Sequence, residues 1–554
     1  MCSRKGLVVV VDTASKVRDT ANRAYRAAVR ALRTVNHRAR QRWRATTPHE
    51  RQTVRLTAVA AALGLVISAV TVGAAGPWDS GQRTAERARA AGADGRSGTD
   101  HTGEPGGPTA APVLAATGPL PGNRKADGAG GGSGGGSRQD GDGDGDGDDA
   151  AAGTGGGPAG QVPPPTASAL ADTLEPLLGE PSLGAVRSAS VVDAASGRQL
   201  YTERSGAPAT PASTVKLATA VAALTARGAD HRITTRVVGE GSRVTLVGGG
   251  DPTLTPEALG DLAKKTAGAL RKAGTRTVRL GYDTSRYRGT DQHPIGPNEN
   301  LAPVTALMVD EGRLDSSDHG PAPRTDDPAG QAAEEFGKRL EAEGVELAGP
   351  AKAHTAAGGA KRLAAHRSAP LGALVERMLT HSDNDIAEAL ARQTALATGE
   401  EASFEGAGRA VERTLRRLDV PLKGAVFADG SGLDRTDKVT PALLTRLLVR
   451  AADPDRPELR GILTGLPVAG FTGTLGSRYG GERGEPGAGL VRAKTGTLTG
   501  VNTLAGTVVD ADGRMLAFAF MTSGAKDPGA AEAGLDRLAS TLANCGCRDS
   551  PSTG

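Results

Sequence analysis

Three short segments of the chain carry side chains that suit nucleophilic catalysis by a serine. They are, in chain order, Ser213-Thr214-Val215-Lys216, Ser382-Asp383-Asn384 and Lys494-Thr495-Gly496-Thr497. A serine hydroxyl attacks a carbonyl efficiently only when a base removes its proton, and a neutral lysine can be that base. The tripeptides Ser-Asp-Asn and Lys-Thr-Gly are each rare by chance at this chain length. Their order after a Ser-x-x-Lys segment therefore indicates one site for acyl transfer.

The first segment has the local pattern of a helix start. Residues 216–224 are rich in Ala and Leu and contain neither Pro nor Gly, which predicts a buried helix. Lys216 then lies one turn after Ser213 on the same face, within reach of its hydroxyl. A second Ser-x-x-Lys segment, at 523–526, is flanked by Gly and Pro residues typical of a loop. We therefore predict Ser213 as the nucleophile and Lys216 as the general base.

The second segment separates two helical patterns, at 371–379 and 386–392. A loop between helices is a common place for polar side chains that face a cleft. We predict that Ser382 relays a proton toward the leaving amine. Asn384 is predicted to hold an amide of the substrate.

The third segment precedes two apolar β runs, 502–509 and 515–520, which predict a hairpin with Lys494 on the neighbouring strand. Lys494, Thr495 and Thr497 suit a substrate that ends in a carboxylate. Gly496 is predicted to let the substrate backbone lie close to the strand. The backbone N–H groups of Ser213 and Thr497 are the predicted oxyanion hole.

Each segment also has a purely structural interpretation. Ser213 or Asp383 could cap a helix, and Lys494 could simply end a strand. A histidine-based triad fits less well, because no G-x-S-x-G segment occurs and His381 is more typical of a loop. The absence of H-E-x-x-H and of paired C-x-x-C segments disfavours a zinc hydrolase. We predict neither a metal nor a cofactor.

At these residues the chain resembles the low-molecular-mass penicillin-binding proteins of the D-alanyl-D-alanine carboxypeptidase/endopeptidase family. The long gap between Lys216 and Ser382 is typical of that family, which carries a large insertion there. The resemblance covers roughly residues 166–544, and Asp434 stands where relatives often carry serine. Further segments that match the family are 249–254, 306–310, 429–433, 466–470 and 473–475.

The resemblance implies an α+β fold. It implies a transpeptidase-like catalytic domain, with an antiparallel sheet, helices and a helical subdomain, at 166–230 and 360–548. Inserted β-rich domains would occupy 231–359.

The resemblance also implies an activity, the removal of the terminal D-Ala from peptidoglycan stem peptides through an acyl-Ser213 intermediate. Cleavage of cross-links by the same site remains open. Penicillins would acylate the same serine. A β-lactamase or esterase is an alternative, although no water-activating group is obvious. A non-catalytic β-lactam sensor or wall-binding module is another, against which the intact Ser213, Lys216, Ser382 and Lys494 argue.

The first third of the chain has a different composition. Residues 1–55 form a basic tail, and 56–75 are free of charge and long enough to span a bilayer. The positive-inside rule predicts a single-pass cell-membrane protein with an extracytoplasmic catalytic domain. Cleavage near Ala74, followed by secretion, is the alternative. Residues 76–165, rich in Gly, Asp and Pro, are predicted to be a disordered linker. The net charge of +4 thus reflects topology and not nucleic-acid binding.

Overall fold

The computed structural model of the chain describes residues 163–479 and 486–547. The predicted basic tail, the predicted membrane span and most of the predicted linker lie outside these residues. Among the helices of the described part, none is both long and apolar enough to cross a bilayer.

The described residues contain both strands and helices. The strands are β1 (Val186–Asp193), β2 (Gln199–Glu203), β3 (Arg232–Glu240), β4 (Arg243–Val247), β5 (Thr277–Asp283), β6 (Glu346–Leu347), β7 (Lys352–Ala353), β8 (Lys361–Pro370), β9 (Arg492–Leu498), β10 (Val501–Val509) and β11 (Met515–Ser523). The helices are α1 (Ala167–Leu178), α2 (Lys216–Arg227), α3 (Pro256–Lys272), α4 (Pro328–Ala342), α5 (Leu371–His381), α6 (Asn384–Thr398), α7 (Phe404–Arg416), α8 (Pro441–Ala452), α9 (Arg460–Gly465) and α10 (Pro528–Ala543).

Five strands form an antiparallel sheet in the order β2-β1-β11-β10-β9. The hairpin predicted from the two apolar runs is β10 and β11, and the strand with Lys494 pairs with β10 as predicted. Strand β10 is buried along almost its whole length, because other elements cover both faces of the sheet. Helices α1 and α10 cover one face, and α8 covers the other.

A bundle of helices packs beside this sheet. Helix α2 is at its centre and contacts α5, α6, α7 and α8. The small side chains of α2 let these neighbours approach closely, and residues 216–224 are all buried. The predicted helix after Ser213 is therefore confirmed, as is the loop between helices at Ser382.

The inserted segment forms a second sheet, in the order β6-β5-β4-β3-β8, with β7 also paired to β5. Strands β4 and β5 are parallel and are connected by α3, while α3 and α4 pack together over one face. The insertion thus contains two long helices in addition to its strands. Both helices have sequence signals of a helix start. Each has a Pro in its first turn, and the side chain of Thr255 caps α3 while that of Asp327 caps α4. Strand β8 belongs to this sheet, so the insertion ends at Pro370 and not at residue 359.

Candidate active site

Ser213 lies in a short 3₁₀ turn, Ala212–Val215, directly before α2. Ala212 has a positive φ of 47°, a conformation that is uncommon for a residue with a side chain. Gly432, at φ 85°, packs against this turn so closely that a Cβ would lie 2.0 Å from the Ala212 carbonyl oxygen. The turn that presents Ser213 is therefore held in a fixed conformation by its neighbours.

Lys216 is the first residue of α2, and its side chain is fully buried. Its Nζ lies 2.9 Å from Ser213 Oγ, 2.7 Å from Asn384 Oδ1 and 2.6 Å from the Ser431 carbonyl oxygen. The two carbonyl oxygens can only accept, so each requires an N–H from Lys216. A neutral amine has two N–H groups and one lone pair. Both N–H groups are used by the carbonyl oxygens, so the lone pair is directed at the hydroxyl of Ser213. This geometry suits removal of the serine proton.

The environment makes the neutral amine more accessible than it is in a solvent-exposed lysine. Burial lowers the pKa of Lys216 to about 8, although nearby carboxylates, with Asp429 the strongest, act in the opposite direction. Lys494 is also fully buried, and its pKa is well below the usual value because of burial and the neighbouring Lys216. The site therefore disfavours two ammonium groups at once.

Ser382 and Asn384 lie at the junction of α5 and α6. Ser382 has a left-handed conformation, with φ 59° and ψ 35°, that ends α5, and Asp383 caps α6 by accepting from Ile386 N at 2.9 Å. This turn directs Asn384 toward Lys216, and Asn384 Nδ2 also donates to the Asn300 carbonyl oxygen at 3.0 Å. The position of Asn384 is therefore fixed from both sides.

A cavity of about 210 Å³ opens in front of the nucleophile. Ser213, Ser382, Asn384 and Thr497 line it, so the structure brings residues of all three predicted segments together. Lys494 lies behind this surface, and its Nζ donates to the Thr495 carbonyl oxygen at 2.8 Å. The hydroxyls of Thr495 and Thr497 form hydrogen bonds with other protein side chains. Joint binding of one carboxylate by these three residues stays a prediction.

The two threonines of the third segment have protein partners. Thr495 Oγ1 lies 2.8 Å from Thr474 Oγ1, and Thr497 Oγ1 donates to Glu532 Oε1 at 2.9 Å. A carboxylate is thus already bound at the hydroxyl predicted to bind the substrate carboxylate. A substrate that used Thr497 in this way would have to displace Glu532.

Gly496 has a packing role in addition to the predicted one. A Cβ at this position would lie 2.2 Å from Thr503 Oγ1, 2.7 Å from the Pro211 carbonyl oxygen and 3.1 Å from Ser213 N. The missing side chain lets β9 pack against the turn of the nucleophile. The close approach of a substrate backbone to Gly496 stays a prediction.

A buried polar network behind the nucleophile was not predicted. Glu388 Oε1 accepts from the backbone N–H groups of Gly430 and Ser431, at 3.0 Å each. Ser431 is the residue whose carbonyl oxygen binds Lys216. Arg392, on the same face of α6, pairs with Glu388 at 3.3 Å, and both side chains are fully buried. The segment 429–433 matches the family, but the contact of Gly430 with Glu388 spans 42 residues and has no local signal.

Asp429 anchors the same loop. It accepts from His293 Nε2 at 3.0 Å and from Gly432 N at 2.6 Å. Burial and the Asp429 carboxylate raise the pKa of Asp437, so the proton that these two acids share resides on Asp437. The loop that binds Lys216 is therefore held by a neutral acid, a carboxylate and a histidine.

Two groups of buried side chains have ligand atoms close enough to hold a metal ion. They are His293, Glu388 and Asp429, and Glu311, Asp383 and Asp385. Each group already has cationic partners, because Arg392 pairs with Glu388 while Arg313 and Arg324 pair with Glu311 and Asp385. These contacts explain the buried carboxylates without an ion.

Comparison with known proteins identifies the family. The family model described as D-Ala-D-Ala carboxypeptidase 3 (S13) matches residues 170–323 and 315–544. A carboxypeptidase of Mycobacterium tuberculosis is 35% identical over 405 residues, which are 69% of this chain and 85% of that protein. The carboxypeptidase DacB of Mycolicibacterium smegmatis is 37% identical over 402 residues, 70% of this chain and 86% of the relative.

The fold has a counterpart among solved structures. Penicillin-binding protein 4 of Haemophilus influenzae superposes with a TM-score of 0.58 at 24% identity, covering 68% of this chain and 99% of that one. The same protein was also solved in complex with a β-lactam, with a TM-score of 0.56 at 22% identity. These matches show a penicillin-binding, β-lactamase-like serine hydrolase fold. The chain belongs to the D-Ala-D-Ala carboxypeptidase 3 (S13) family of serine-type D,D-peptidases.

Proposed function

We propose that the chain removes the terminal D-Ala from peptidoglycan stem peptides through an acyl-enzyme on Ser213. The observation that carries this proposal is the contact of 2.9 Å between Lys216 Nζ and Ser213 Oγ, in a cavity that Ser382 and Thr497 also line. The family membership supports the same reaction.

The proposed reaction uses this geometry. Lys216 takes the proton of Ser213, and Oγ forms a bond to the carbonyl carbon of the penultimate D-Ala. The predicted oxyanion hole, the N–H groups of Ser213 and Thr497, stabilises the charged oxygen. The C–N bond then breaks, and the amine of the leaving D-Ala receives a proton through Ser382. Water subsequently hydrolyses the ester, which returns the proton to Ser213 and releases the shortened peptide.

Penicillins enter the same first step. Attack by Ser213 opens the β-lactam C–N bond, but the amine stays attached to the acyl group, so water reaches the ester slowly. The Haemophilus influenzae relative solved with a β-lactam supports this part of the proposal. Cleavage of cross-links needs no other chemistry, because only the group attached to the leaving amine differs. We include D,D-endopeptidase activity for that reason.

We further propose that residues 56–75 anchor the chain in the cell membrane with the catalytic part outside. The support is the uncharged run of the sequence and the arginines before it. Cleavage near Ala74 would instead give a secreted enzyme. Mass spectrometry of the N-terminus of the protein isolated from its native cell separates the two fates.

The test of the activity uses the full chain and a peptide that ends in D-Ala-D-Ala. We expect D-Ala release that is abolished in Ser213→Ala. The matched control is Ser523→Ala, which alters the other Ser-x-x-Lys segment and leaves release unchanged. Release that persists in Ser213→Ala, or that is lost in Ser523→Ala, contradicts the assignment of the nucleophile.

A further inference from the structure

A cavity of about 770 Å³ lies on the sheet of the insertion, away from the nucleophile. Its floor is the face of the sheet that α3 and α4 do not cover. Val237 of β3 is buried against α3 and α4, whereas its neighbour Arg236 lines the cavity together with Arg232 and Ile233. Part of the wall is formed by Ala356, Ala357, Gly358 and Ala360.

The charge of this cavity is strongly positive. Arg232, Arg236, Arg286 and Arg362 line it, and Asp283 is the one acidic residue among its lining side chains. Asp283 already accepts backbone N–H groups from Ser285 and Ala356 at 2.8 Å each. The cavity thus has a surplus of guanidinium groups that its own acid does not balance.

These arginines differ from others in the described part of the chain. Arg313, Arg324, Arg392 and Arg478 each pair with a carboxylate. Within residues 163–479 and 486–547, by contrast, no carboxylate lies within 4.0 Å of a guanidinium nitrogen of Arg236, Arg286 or Arg362. Burial and the cations Arg227 and Arg286 lower the pKa of His231, another lining residue. Like charges therefore face one another around a concave space, an arrangement that an anion would stabilise.

The spacing of the arginines indicates the form of that anion. Arg232 and Arg236 are four residues apart on one strand, so their Cα atoms are separated by about 13 Å. Arg362 follows beyond them, because β8 pairs Arg362 with Val238. A single phosphate or carboxylate group cannot contact the ends of this row together. A chain with repeated anionic groups can, and planar guanidinium groups bind phosphate and carboxylate equally well in geometry.

We propose that this cavity binds an extended polyanion with repeated phosphate or carboxylate groups. The site is separate from the catalytic cavity. Gln393, which lines it, is nine residues along α6 from Asn384, a distance of about 13 Å. Polyanion binding in this cavity does not depend on the reaction at Ser213. An experiment can therefore contradict one of the two proposals and leave the other intact.

The test measures binding of a labelled short linear polyphosphate to the full chain, with polyglutamate and inorganic phosphate as further probes. The variant is Arg236→Gln combined with Arg286→Gln. The matched control combines Arg198→Gln with Arg417→Gln, which removes the same charge from exposed arginines elsewhere. The basic N-terminal tail is identical in all three proteins, so its contribution cancels.

We expect the cavity variant to bind the polymer at least about tenfold more weakly, since each charge-assisted contact is a strong one. The control should bind as the parent does, and added salt should weaken the parent most. Polyphosphate and polyglutamate distinguish phosphate from carboxylate ligands. Unchanged penicillin labelling of the cavity variant shows that it is folded. Equal affinity of the cavity variant and the parent, or inorganic phosphate binding as tightly as either polymer, overturns the proposal.

Discussion

Gly496→Ala should impair the enzyme by disturbing the turn that holds Ser213. The new Cβ would lie 2.2 Å from Thr503 Oγ1 and 2.7 Å from the Pro211 carbonyl oxygen. Thr503 can rotate, but it would then lose its hydrogen bond of 2.8 Å to the same carbonyl. The φ angle at Gly496 lies outside the left-handed region, so the cost of the substitution is steric and not conformational.

The size of the effect follows from these distances. Contacts of a Cβ below 3.0 Å are essentially absent from proteins, so the Pro211 carbonyl has to move by at least 0.3 Å. Overpacking of this kind costs about 1–3 kcal/mol of stability. Catalytic groups need placement within about 0.5 Å, and a shift of about 1 Å can cost about 100-fold in rate. We therefore expect acylation by penicillin to slow by about ten- to 100-fold.

The assay is the second-order rate of labelling by a fluorescent penicillin, together with thermal unfolding. Gly206→Ala is the matched control, because its Cβ would meet nothing within 4 Å and its φ is ordinary. We expect this control to retain the rate and the melting temperature of the parent. A Gly496→Ala protein that is acylated at the parental rate would refute the steric reasoning.

The remaining predictions concern charge. The rate of acylation should rise with pH up to about 8, because Lys216 accepts the proton only when deprotonated; a pH–rate profile that stays flat between pH 6 and about 9 contradicts this. Glu388→Ala should cost about 3–5 kcal/mol in chemical unfolding, because it leaves Arg392 buried and unpaired. The exposed variant Glu334→Ala, which also breaks a helix ion pair, should unfold like the parent. Glu532→Gln should lower KM for a peptide ending in a carboxylate by about two- to fivefold, with Asp172→Asn as the control for lost charge; an unchanged KM shows that Glu532 does not compete with substrate.

The chemistry of the site was predictable because it resides in short segments. Ser213 and Lys216 are one helical turn apart, and that local relation was sufficient to predict their contact. The loop at Ser382 and the strand at Lys494 were likewise marked by local patterns. Their joint position around one cavity was predictable only from the resemblance to a family, since no local pattern relates residues 213, 382 and 497.

The supporting structure was not predictable to the same extent. The contacts of Glu388 with Ser431 and of His293 with Asp429 join residues 43 and 136 positions apart. The reason for Gly496 depends on Pro211, which precedes it by 285 residues in the chain and is brought to β9 only by folding. The helices of the insertion, in contrast, had visible caps and first-turn prolines. These local signals are sufficient to predict α3 and α4 without any knowledge of the tertiary structure.

Mapping the site of acylation tests the central claim most directly. The full chain is incubated with benzylpenicillin, digested, and its peptides are identified by mass spectrometry. The account predicts one penicilloyl adduct, on Ser213, and none in Lys216→Arg, because a guanidinium cannot accept the serine proton at neutral pH. An adduct on Ser382 or Ser523, or an undiminished adduct in Lys216→Arg, would contradict it.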